Sequence, residues 1–513
     1  MATAPVAVGD WLVIAPIIIT AMGGALCLML RKRINIQPSL GILFLALLVI
    51  CDIALLVRVV QNGPITMVMG RWLPPFGIAF SVDIVGAMLA LVAAIVALVA
   101  AIYAVFDIDE TRRRYGFYPF LMLLMTGVSG AFLTGDIFNL YVWFEVLLIA
   151  SFGLIIIGSK VEQFDGAVRY TFLNLIATTL FLIATGYLYG VLGTLNMADI
   201  AMKVRAGGAA LPLGTIAALY LLAFAMKAAA FPVNFWLPAS YHTPNIVVSA
   251  VFGGLLTKVG VYALIRTMVM LMPDHRVAMS DIIVWLALLT MLTGALGALA
   301  QSDVRRLLGY LVISGIGSML AGVALGTVPG IAGAVFYAVH SIIVITALYL
   351  VVGIMGRLCN AFDLPGLGGL YGKDPLLAAM FLILALAVAG LPPFSGFWPK
   401  VILVEAAFQE DQFWLAAGIL VTGFLTTMAV GRIWLHGFWR GGPQGTPDGA
   451  QNLPAGRLEN RQRTVLYLPV MVLIVLVIVL GIWPDPMIKA ASLGAEGMIN
   501  PAAYIQSVFG SVQ

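Results

Sequence analysis

The segment LLAFAMKAAAFPVNFWLPASYHTPNIVVSAVFGGLLTKVGVYALIR, from Leu221 to Arg266, decides how the chain folds. It places Lys227 and Lys258 in two successive apolar stretches of membrane length. A charged side chain near the centre of a bilayer costs roughly 3 kcal/mol on insertion scales, and such residues commonly mark ion or proton pathways. The alternatives without a functional role are that each lysine extends to the membrane surface or forms a static ion pair. The segment therefore predicts a membrane protein that moves ions or protons past two lysines.

The composition is that of a polytopic membrane protein. Of 513 residues, 62% are hydrophobic and only 10% are charged, whereas about a quarter of the residues of a soluble domain are charged. Apolar windows of the ~20 residues needed to cross a bilayer can be placed at about fourteen positions. No basic tract exceeds three residues, so we predict no nucleic-acid partner. We expect the lipid bilayer to surround the chain.

The cysteines and glycines give no sign of a cofactor. Cys27, Cys51 and Cys359 have neither metal-ligand spacing nor a disulfide framework. There is no nucleotide-binding glycine motif and no Ser/His/Asp constellation. We therefore predict a protein without cofactor, bound metal or covalent catalysis. The lysine-containing spans favour a secondary transporter subunit rather than an enzyme.

Basic residues concentrate in alternate loops, beginning with Arg31–Lys32–Arg33 and Arg112–Arg113–Arg114. The positive-inside rule places these loops in the cytoplasm and both termini on the outer side. An outer loop at 63–81 contains two short apolar runs around Pro74–Pro75 and predicts a hairpin. Residues 441–464, rich in Gly, Pro and polar side chains, predict a flexible cytoplasmic linker before the last membrane helix.

Glu145 and Lys227 are the first candidate pair. Glu145 lies near the middle of the fifth apolar window, where an isolated carboxylate would be costly, and Lys227 is the partner that we predict for it. Pro232 and Pro238 follow the lysine and predict a break in the seventh helix. Broken helices in transporters expose backbone groups where an ion is handled. Asp136, at the start of the fifth window, is an accessory candidate that we expect at the interface or at a helix N-terminus.

A second lysine beside prolines repeats this arrangement. Lys400 follows LPPFSGFWP, which is loosely similar to the FPVNFWLP that follows Lys227. The similarity favours an internal repeat, although one lysine precedes its segment and the other follows it. Glu405, five residues further on, is an accessory candidate that could pair with Lys400 or face an exit.

Histidines and one further acid complete the set. His340 lies in the middle of the eleventh window, and imidazole is well suited to proton transfer near neutral pH; the alternative is a hydrogen-bonded core residue. His242 lies in the loop before Lys258, where it could line a cytoplasmic entrance. Asp52, midway along the second window, is an accessory acid that could contact a partner protein.

These motifs together resemble the antiporter-like membrane subunits shared by respiratory complex I and the multisubunit Mrp-type sodium/proton antiporters. The resemblance rests on WFEVLLIAS, AFAMKAAAFPVNFWLPASY, LLTKVGVYALIR, QSDVRRLLGYLVISGIG, AVHSIIVITALYLVVG and GLPPFSGFWPK. The stretch FWLPASYHTPNIVVSAVFGGLLTKVGVYALIR is more similar to the Mrp branch. The alternative is a proton-pumping subunit of complex I or of a membrane-bound hydrogenase; in the complex I case the chain would be a membrane subunit of an NADH:quinone oxidoreductase.

The resemblance implies an all-α fold of about fourteen membrane helices, with two inverted five-helix repeats and broken seventh and twelfth helices. The implied division is three helices in 1–115, the repeats in 116–270 and 281–440, the linker 441–464, and the last helix and tail in 465–513. It implies a midplane proton path through Glu145, Lys227, Lys258, His340 and Lys400, coupled to Na⁺ efflux. The implied partners are Na⁺, H⁺ and the Mrp subunits A, B, C, E, F and G in a bacterial cytoplasmic membrane.

Overall fold

Helices account for most of the chain in the computed structural model, which describes residues 8–207, 212–441 and 458–510. The N-terminal part begins with a 3₁₀ turn and continues through four helices and a two-stranded antiparallel sheet. Its elements are the turn Val8–Val13, α1 (Ala15–Met29), α2 (Gln37–Asn62), β1 (Ile65–Val68), β2 (Ala79–Val82), α3 (Ile84–Asp107) and α4 (Glu110–Tyr115). Ile65 pairs with Val82 and Val68 with Ala79, which confirms the predicted hairpin.

The next group of helices contains Glu145, Lys227 and Lys258. It consists of α5 (Phe117–Leu133), α6 (Ile137–Ile156), α7 (Val161–Leu192), α8 (Met197–Gly207), α9 (Gly214–Ala228), α10 (Trp236–Tyr241) and α11 (Ile246–Leu271). The backbone of α11 widens into π-helical turns at Phe252–Leu256 and Ile265–Leu271. α9 and α10 are two parts of one interrupted helix, so the predicted break after Lys227 is confirmed.

A third group repeats this order of elements. After the short α12 (Pro273–Ala278) come α13 (Ser280–Ala300), α14 (Val304–Leu325), α15 (Val328–Cys359), α16 (Leu370–Lys373), α17 (Pro375–Ala389), α18 (Phe397–Gln409) and α19 (Phe413–Trp439). α7 and α15 each contain 32 residues and each precedes an interrupted helix. The break between α17 and α18 confirms the second predicted interruption.

The chain continues through α20 (Asn460–Ile482), α21 (Asp485–Ile499) and α22 (Ala502–Phe509). α21 packs against α15 and α3, and α22 packs against α8 and the hairpin. Most of the predicted linker, residues 442–457, lies outside the described residues. The proposed division of the chain into five parts stays a prediction.

Aspartates fix where several membrane helices begin. Asp83, Asp136, Asp303 and Asp374 stand at the N-caps of α3, α6, α14 and α17, and each accepts a hydrogen bond from a backbone N–H of the first turn. A capping carboxylate satisfies a donor that the helix itself leaves unpaired. The expectation that Asp136 is a helix N-terminal residue is confirmed.

Ten helices in the described ranges are long and apolar enough to cross a membrane, and four shorter apolar helices accompany them: α1, α5, α9 and α17. The predicted number of fourteen spans stays a prediction. α11 and α15 are buried along their whole apolar windows by the other helices. Because these two helices contain Lys258 and His340, both side chains lie in the protein interior rather than against lipid.

One buried ion pair joins the hairpin region to α11. Arg266, at the end of the segment quoted from the sequence, is fully buried. Its guanidinium lies 2.7 Å from Asp83 Oδ2 and donates from Nε to the Tyr262 hydroxyl at 2.9 Å. The central guanidinium carbon of Arg266 lies 5.2 Å from the centre of the Tyr504 ring in α22. The pair therefore connects α3, α11 and the C-terminal helix.

We predict that Asp83→Asn destabilises the protein because it leaves the Arg266 charge buried without its counter-ion. The asparagine side chain keeps an oxygen that can cap α3. Any loss of stability therefore reports the missing negative charge and not a missing N-cap. Breaking a buried ion pair on one side costs about 3–5 kcal/mol, which should appear as a lower thermal midpoint of the purified protein complex. Asp165→Asn is the matched control, since the Asp165–Arg169 pair is exposed and exposed pairs contribute little. Equal midpoints for the two variants would contradict the prediction.

Candidate functional site

The first helix break places Lys227 at the end of a buried half-helix. α9 ends at Ala228, Ala229 adopts a left-handed conformation with φ of +61°, and the N–H of Ala230 bonds back to the Ala225 carbonyl. The proline at 232 prevents the helix from continuing because it lacks an N–H. Lys227 is 6% exposed, and its Nζ has no hydrogen-bond partner among the described residues.

Lys227 and Glu145 lie within electrostatic range of each other but not in contact. No salt bridge within 4 Å joins them in the part of the chain that the structure describes. The Lys227 amine instead lies 5.4 Å from the centre of the Phe144 ring. Glu145 is half-buried, and its Oε1 is buried without a partner in that same part of the chain. The Lys227 amine and the Glu145 Oε1 atom thus both lack a hydrogen-bond partner among the described residues.

Lys258 is fully buried in α11, next to a π-helical turn. Its Nζ donates to the Gly253 carbonyl at 2.7 Å. A Cβ at Gly253 would lie 2.8 Å from the Tyr349 ring of α15. The glycine therefore lets α15 approach closely while its carbonyl holds the amine.

His340 in α15 contacts the second helix break. Its Nδ1 lies 2.8 Å from the Ser395 hydroxyl, in the segment between α17 and α18. A Cβ at Gly396 would come within 2.8 Å of the imidazole Cε1, so this position requires a glycine. The imidazole is within electrostatic range of both Lys400 and Lys258. His340 is therefore close enough to both lysines for their charges to affect it.

Lys400 reaches back from α18 to the end of α17. Its Nζ donates to the Ala389 carbonyl at 2.7 Å and more distantly to that of Val388 at 3.5 Å. The last carbonyls of a helix lack intrahelical partners and carry partial negative charge. Gly390 ends α17 with φ of +85°, and a side chain there would overlap the lysine stem. The break itself thus supplies the acceptors for the amine.

A cavity of about 840 Å³ opens beside Lys400 between α18 and α19. Its walls are mainly apolar and include Phe397, Phe408 and Phe424, and Glu405 also lines it. Glu405 is exposed and accepts a hydrogen bond from Gln409 at 3.4 Å. Of the two alternatives for Glu405, the ion pair with Lys400 is not formed among the described residues, and the position facing an exit stays a prediction.

The accessory acids Asp136 and Asp52 lie apart from this line. Asp136 is buried at the beginning of α6, and burial raises its pKa to about 6. Asp52 is fully buried in α2, and neither carboxylate oxygen has a partner in the described ranges. The structure does not bring either acid into contact with the lysines.

His242 lines a polar cavity of about 540 Å³ together with Asp303, Arg306 and Arg357. Its Nδ1 lies 2.8 Å from the Pro238 carbonyl and its Nε2 lies 3.0 Å from Arg306 Nη2. A guanidinium can only donate, so Nε2 accepts and the proton is on Nδ1. Burial lowers the pKa of His242, and the Arg306 charge lowers it further.

Some partners of these residues were missed from the sequence. Ser395 lies inside the quoted GLPPFSGFWPK motif, and its polar side chain in an apolar stretch was the available signal. The carbonyl of Gly253 accepts the hydrogen bond from Lys258. The only signal for it in the sequence was the pair of adjacent glycines at 253–254. The Asp83–Arg266 pair joins residues too distant in sequence for spacing to reveal.

Similarity to known proteins agrees with this geometry. The family described as NADH:quinone oxidoreductase/Mrp antiporter, TM, matches residues 134–426. The chain therefore belongs to this family, and the predicted antiporter-like helical fold is confirmed.

Among its relatives, two chains named as the D-type subunit of a Na(+)/H(+) antiporter match over nearly their whole length. That of Alkalihalophilus pseudofirmus is 39% identical, over 97% of this chain and 99% of the relative. That of Bacillus subtilis is 36% identical over the same shares. A chain in the structure of the Mrp complex from Dietzia sp. DQ12-45-1b superposes with a TM-score of 0.89 at 28% identity, covering 98% of this chain and 100% of that one. These matches confirm the predicted likeness to the Mrp branch, and within that branch they show likeness to the D-type subunit.

We predict that Arg306→Gln raises the pKa of His242, because it removes a neighbouring positive charge that opposes protonation. Diethyl pyrocarbonate modifies neutral imidazole, so the pH midpoint of His242 modification should move to higher pH. The modified peptide can be quantified by mass spectrometry. Arg33→Gln, which removes an exposed arginine elsewhere, should leave the midpoint in place. An unchanged midpoint in Arg306→Gln would show that the contact is not formed.

Proposed function

We propose that this chain is the D-type subunit of a multisubunit cation/proton antiporter and carries protons through the membrane along Glu145, Lys227, Lys258, His340 and Lys400. The coupled cation is Na⁺, as in the names of its relatives. Such a subunit is a secondary transporter rather than an enzyme, and it has no cofactor in this proposal.

The observation that carries the proposal is the placing of three amines and one imidazole in the apolar interior, each near a helix irregularity. Lys227 and Lys400 lie beside the two breaks, Lys258 beside a π-helical turn, and His340 against the second break. Intramembrane ionisable residues are costly to keep and typically mark ion pathways. A structural role alone would give each amine a fixed counter-ion, and none of the three lysines has a salt bridge among the described residues.

Electrostatic repulsion couples the groups in this proposal. Two unit charges 8 Å apart interact by about 2 kcal/mol at an effective dielectric of 20, which is enough to change the proton occupancy of a neighbour more than tenfold. Protonation of Lys258 would therefore disfavour a proton on Lys227 and release its attraction to Glu145. A proton passed by His340 would then reach Lys400 and leave through the cavity beside it.

The chain acts with partners, since its relatives are subunits of multisubunit complexes. We place it with Mrp subunits A, B, C, E, F and G in a bacterial cytoplasmic membrane, both termini facing outward. Purification from native membranes in mild detergent tests this assembly. Co-purifying membrane subunits without redox centres would support it, and flavin and iron–sulfur subunits would instead indicate a redox-driven pump.

We predict that Lys227→Ala and Glu145→Ala each abolish Na⁺-dependent proton exchange in membrane vesicles while the complex still assembles. The reason is that each removes one charge of the central pair. Exchange is measured as Na⁺-induced change of an imposed pH gradient, and assembly by immunoblot of the purified complex.

Lys489→Ala and Glu496→Ala are matched controls, because both side chains are exposed on α21. They should retain exchange. Wild-type exchange in Glu145→Ala would refute the central pair, and wild-type exchange in Lys227→Ala would refute the pathway as a whole.

A further inference from the structure

Three phenylalanine rings pack together beside the Lys227 amine. Phe144 of α6, Phe181 of α7 and Phe224 of α9 form this phenylalanine triad. Ring centres are 5.9 Å apart for Phe144 and Phe181, 5.9 Å for Phe144 and Phe224, and 4.7 Å for Phe181 and Phe224. None is more than 1% exposed. The triad is a closely packed apolar layer contributed by three helices.

Polar groups lie on the other side of this layer. The Tyr220 ring contacts both Phe181 and Phe224 at 5.8 Å, and its hydroxyl lies 3.0 Å from that of Thr185. Asp136 is within electrostatic range of Tyr220. Along α9 the order is Tyr220, Phe224, Lys227. The triad therefore separates the Lys227 amine from the polar groups at the end of the membrane where α6 begins.

The same interruption appears along α7. A stripe of buried polar side chains at helical spacing runs through Asn174, Thr178 and Thr185, and Phe181 occupies the position between the two threonines. Thr178 and Thr185 donate to carbonyls of their own helix. Phe181 is the one apolar residue at this spacing between Asn174 and Thr185. Phe181 thus breaks a stripe that is otherwise polar.

We infer that the phenylalanine triad is a dry barrier that keeps protons from leaking between Lys227 and the hydrogen-bonded pair of Tyr220 and Thr185, and that Phe181 is its central residue. The inference rests on the proposed function, because a barrier matters only if protons reach Lys227. Apolar constrictions in channels stop conduction by excluding water, and closely packed apolar cavities stay dry. Phe181 touches no ion in this inference. It is a positioning residue that determines whether exchange remains coupled.

The test compares Phe181→Thr with Phe181→Val in the intact complex reconstituted in vesicles. Threonine and valine have nearly the same shape, so both variants leave a similar space, but only threonine continues the polar stripe. We measure the decay of an imposed pH gradient without Na⁺. The threonine variant should leak protons several-fold faster than wild type, and the valine variant should remain close to wild type. Equal leaks in both variants, or no leak in an assembled threonine variant, would overturn the inference.

A double variant separates a proton route from damaged packing. Adding Lys227→Ala to Phe181→Thr should return the leak towards the wild-type rate, because the route then lacks the Lys227 amine that accepts the proton. A leak that persists in the double variant would show nonspecific damage and overturn the inference. Phe381→Ala is a control for aromatic loss elsewhere, since Phe381 is equally buried against Trp434 and Phe438; it should not leak.

Assembly is measured for every variant by immunoblot. If Phe181→Thr does not assemble, the same comparison at Phe224, with threonine against valine, tests the same layer from α9. The proposed function fails separately, through wild-type exchange in Lys227→Ala alone, whereas the barrier fails through the leak measurements made without Na⁺.

Discussion

The structure depends on keeping amines in an apolar interior by means of backbone carbonyls. Lys258 and Lys400 each donate to a carbonyl of an irregular or ending helix, at 2.7 Å in both cases. A regular helix offers few free acceptors, because its carbonyls bond to its own N–H groups. The π-helical turn in α11 and the break after α17 are therefore the places where Lys258 and Lys400 find an acceptor. The glycines and prolines around these lysines allow the helices to deviate from regular geometry at these positions.

The two helix breaks share a backbone pattern but differ in which half-helix contains the lysine. The N–H of Leu391 bonds to the Leu386 carbonyl as that of Ala230 does to Ala225, so the two interruptions share a backbone pattern. Lys227 belongs to the half-helix before its break, whereas Lys400 comes from the half after it and reaches back. Both amines nevertheless lie near the end of the first half-helix. In the sequence, one lysine precedes its proline-containing segment and the other follows it. In the structure, the two amines nevertheless occupy equivalent positions at their helix breaks.

Much of this arrangement could be predicted from the sequence. Long apolar windows predict membrane helices, and prolines after Lys227 and before Lys400 predict the breaks, because both signals are local. The hairpin at 65–82 followed from two short apolar runs. The buried Arg266 could not be predicted, since its position at the end of an apolar window is equally typical of a surface anchor. Only contacts with residues distant in sequence, Asp83 above all, offset the cost of burying it. The missing contact between Glu145 and Lys227 could not be predicted either, because sequence spacing does not show that the Lys227 amine lies against the Phe144 ring instead.

The contact between the hairpin and the C-terminal helix has a consequence for biogenesis. The hydroxyls of Thr66 and Ser507 lie 2.9 Å apart although 441 residues separate them. A ribosome adding about 5–20 residues per second would need roughly 20 to 90 s to deliver the second after the first. During that time α22 has not yet been made, so the hairpin and the end of α11 that it covers remain exposed. Quality control that inspects nascent membrane proteins would therefore find this corner of the molecule open until the segment around Ser507 has been made.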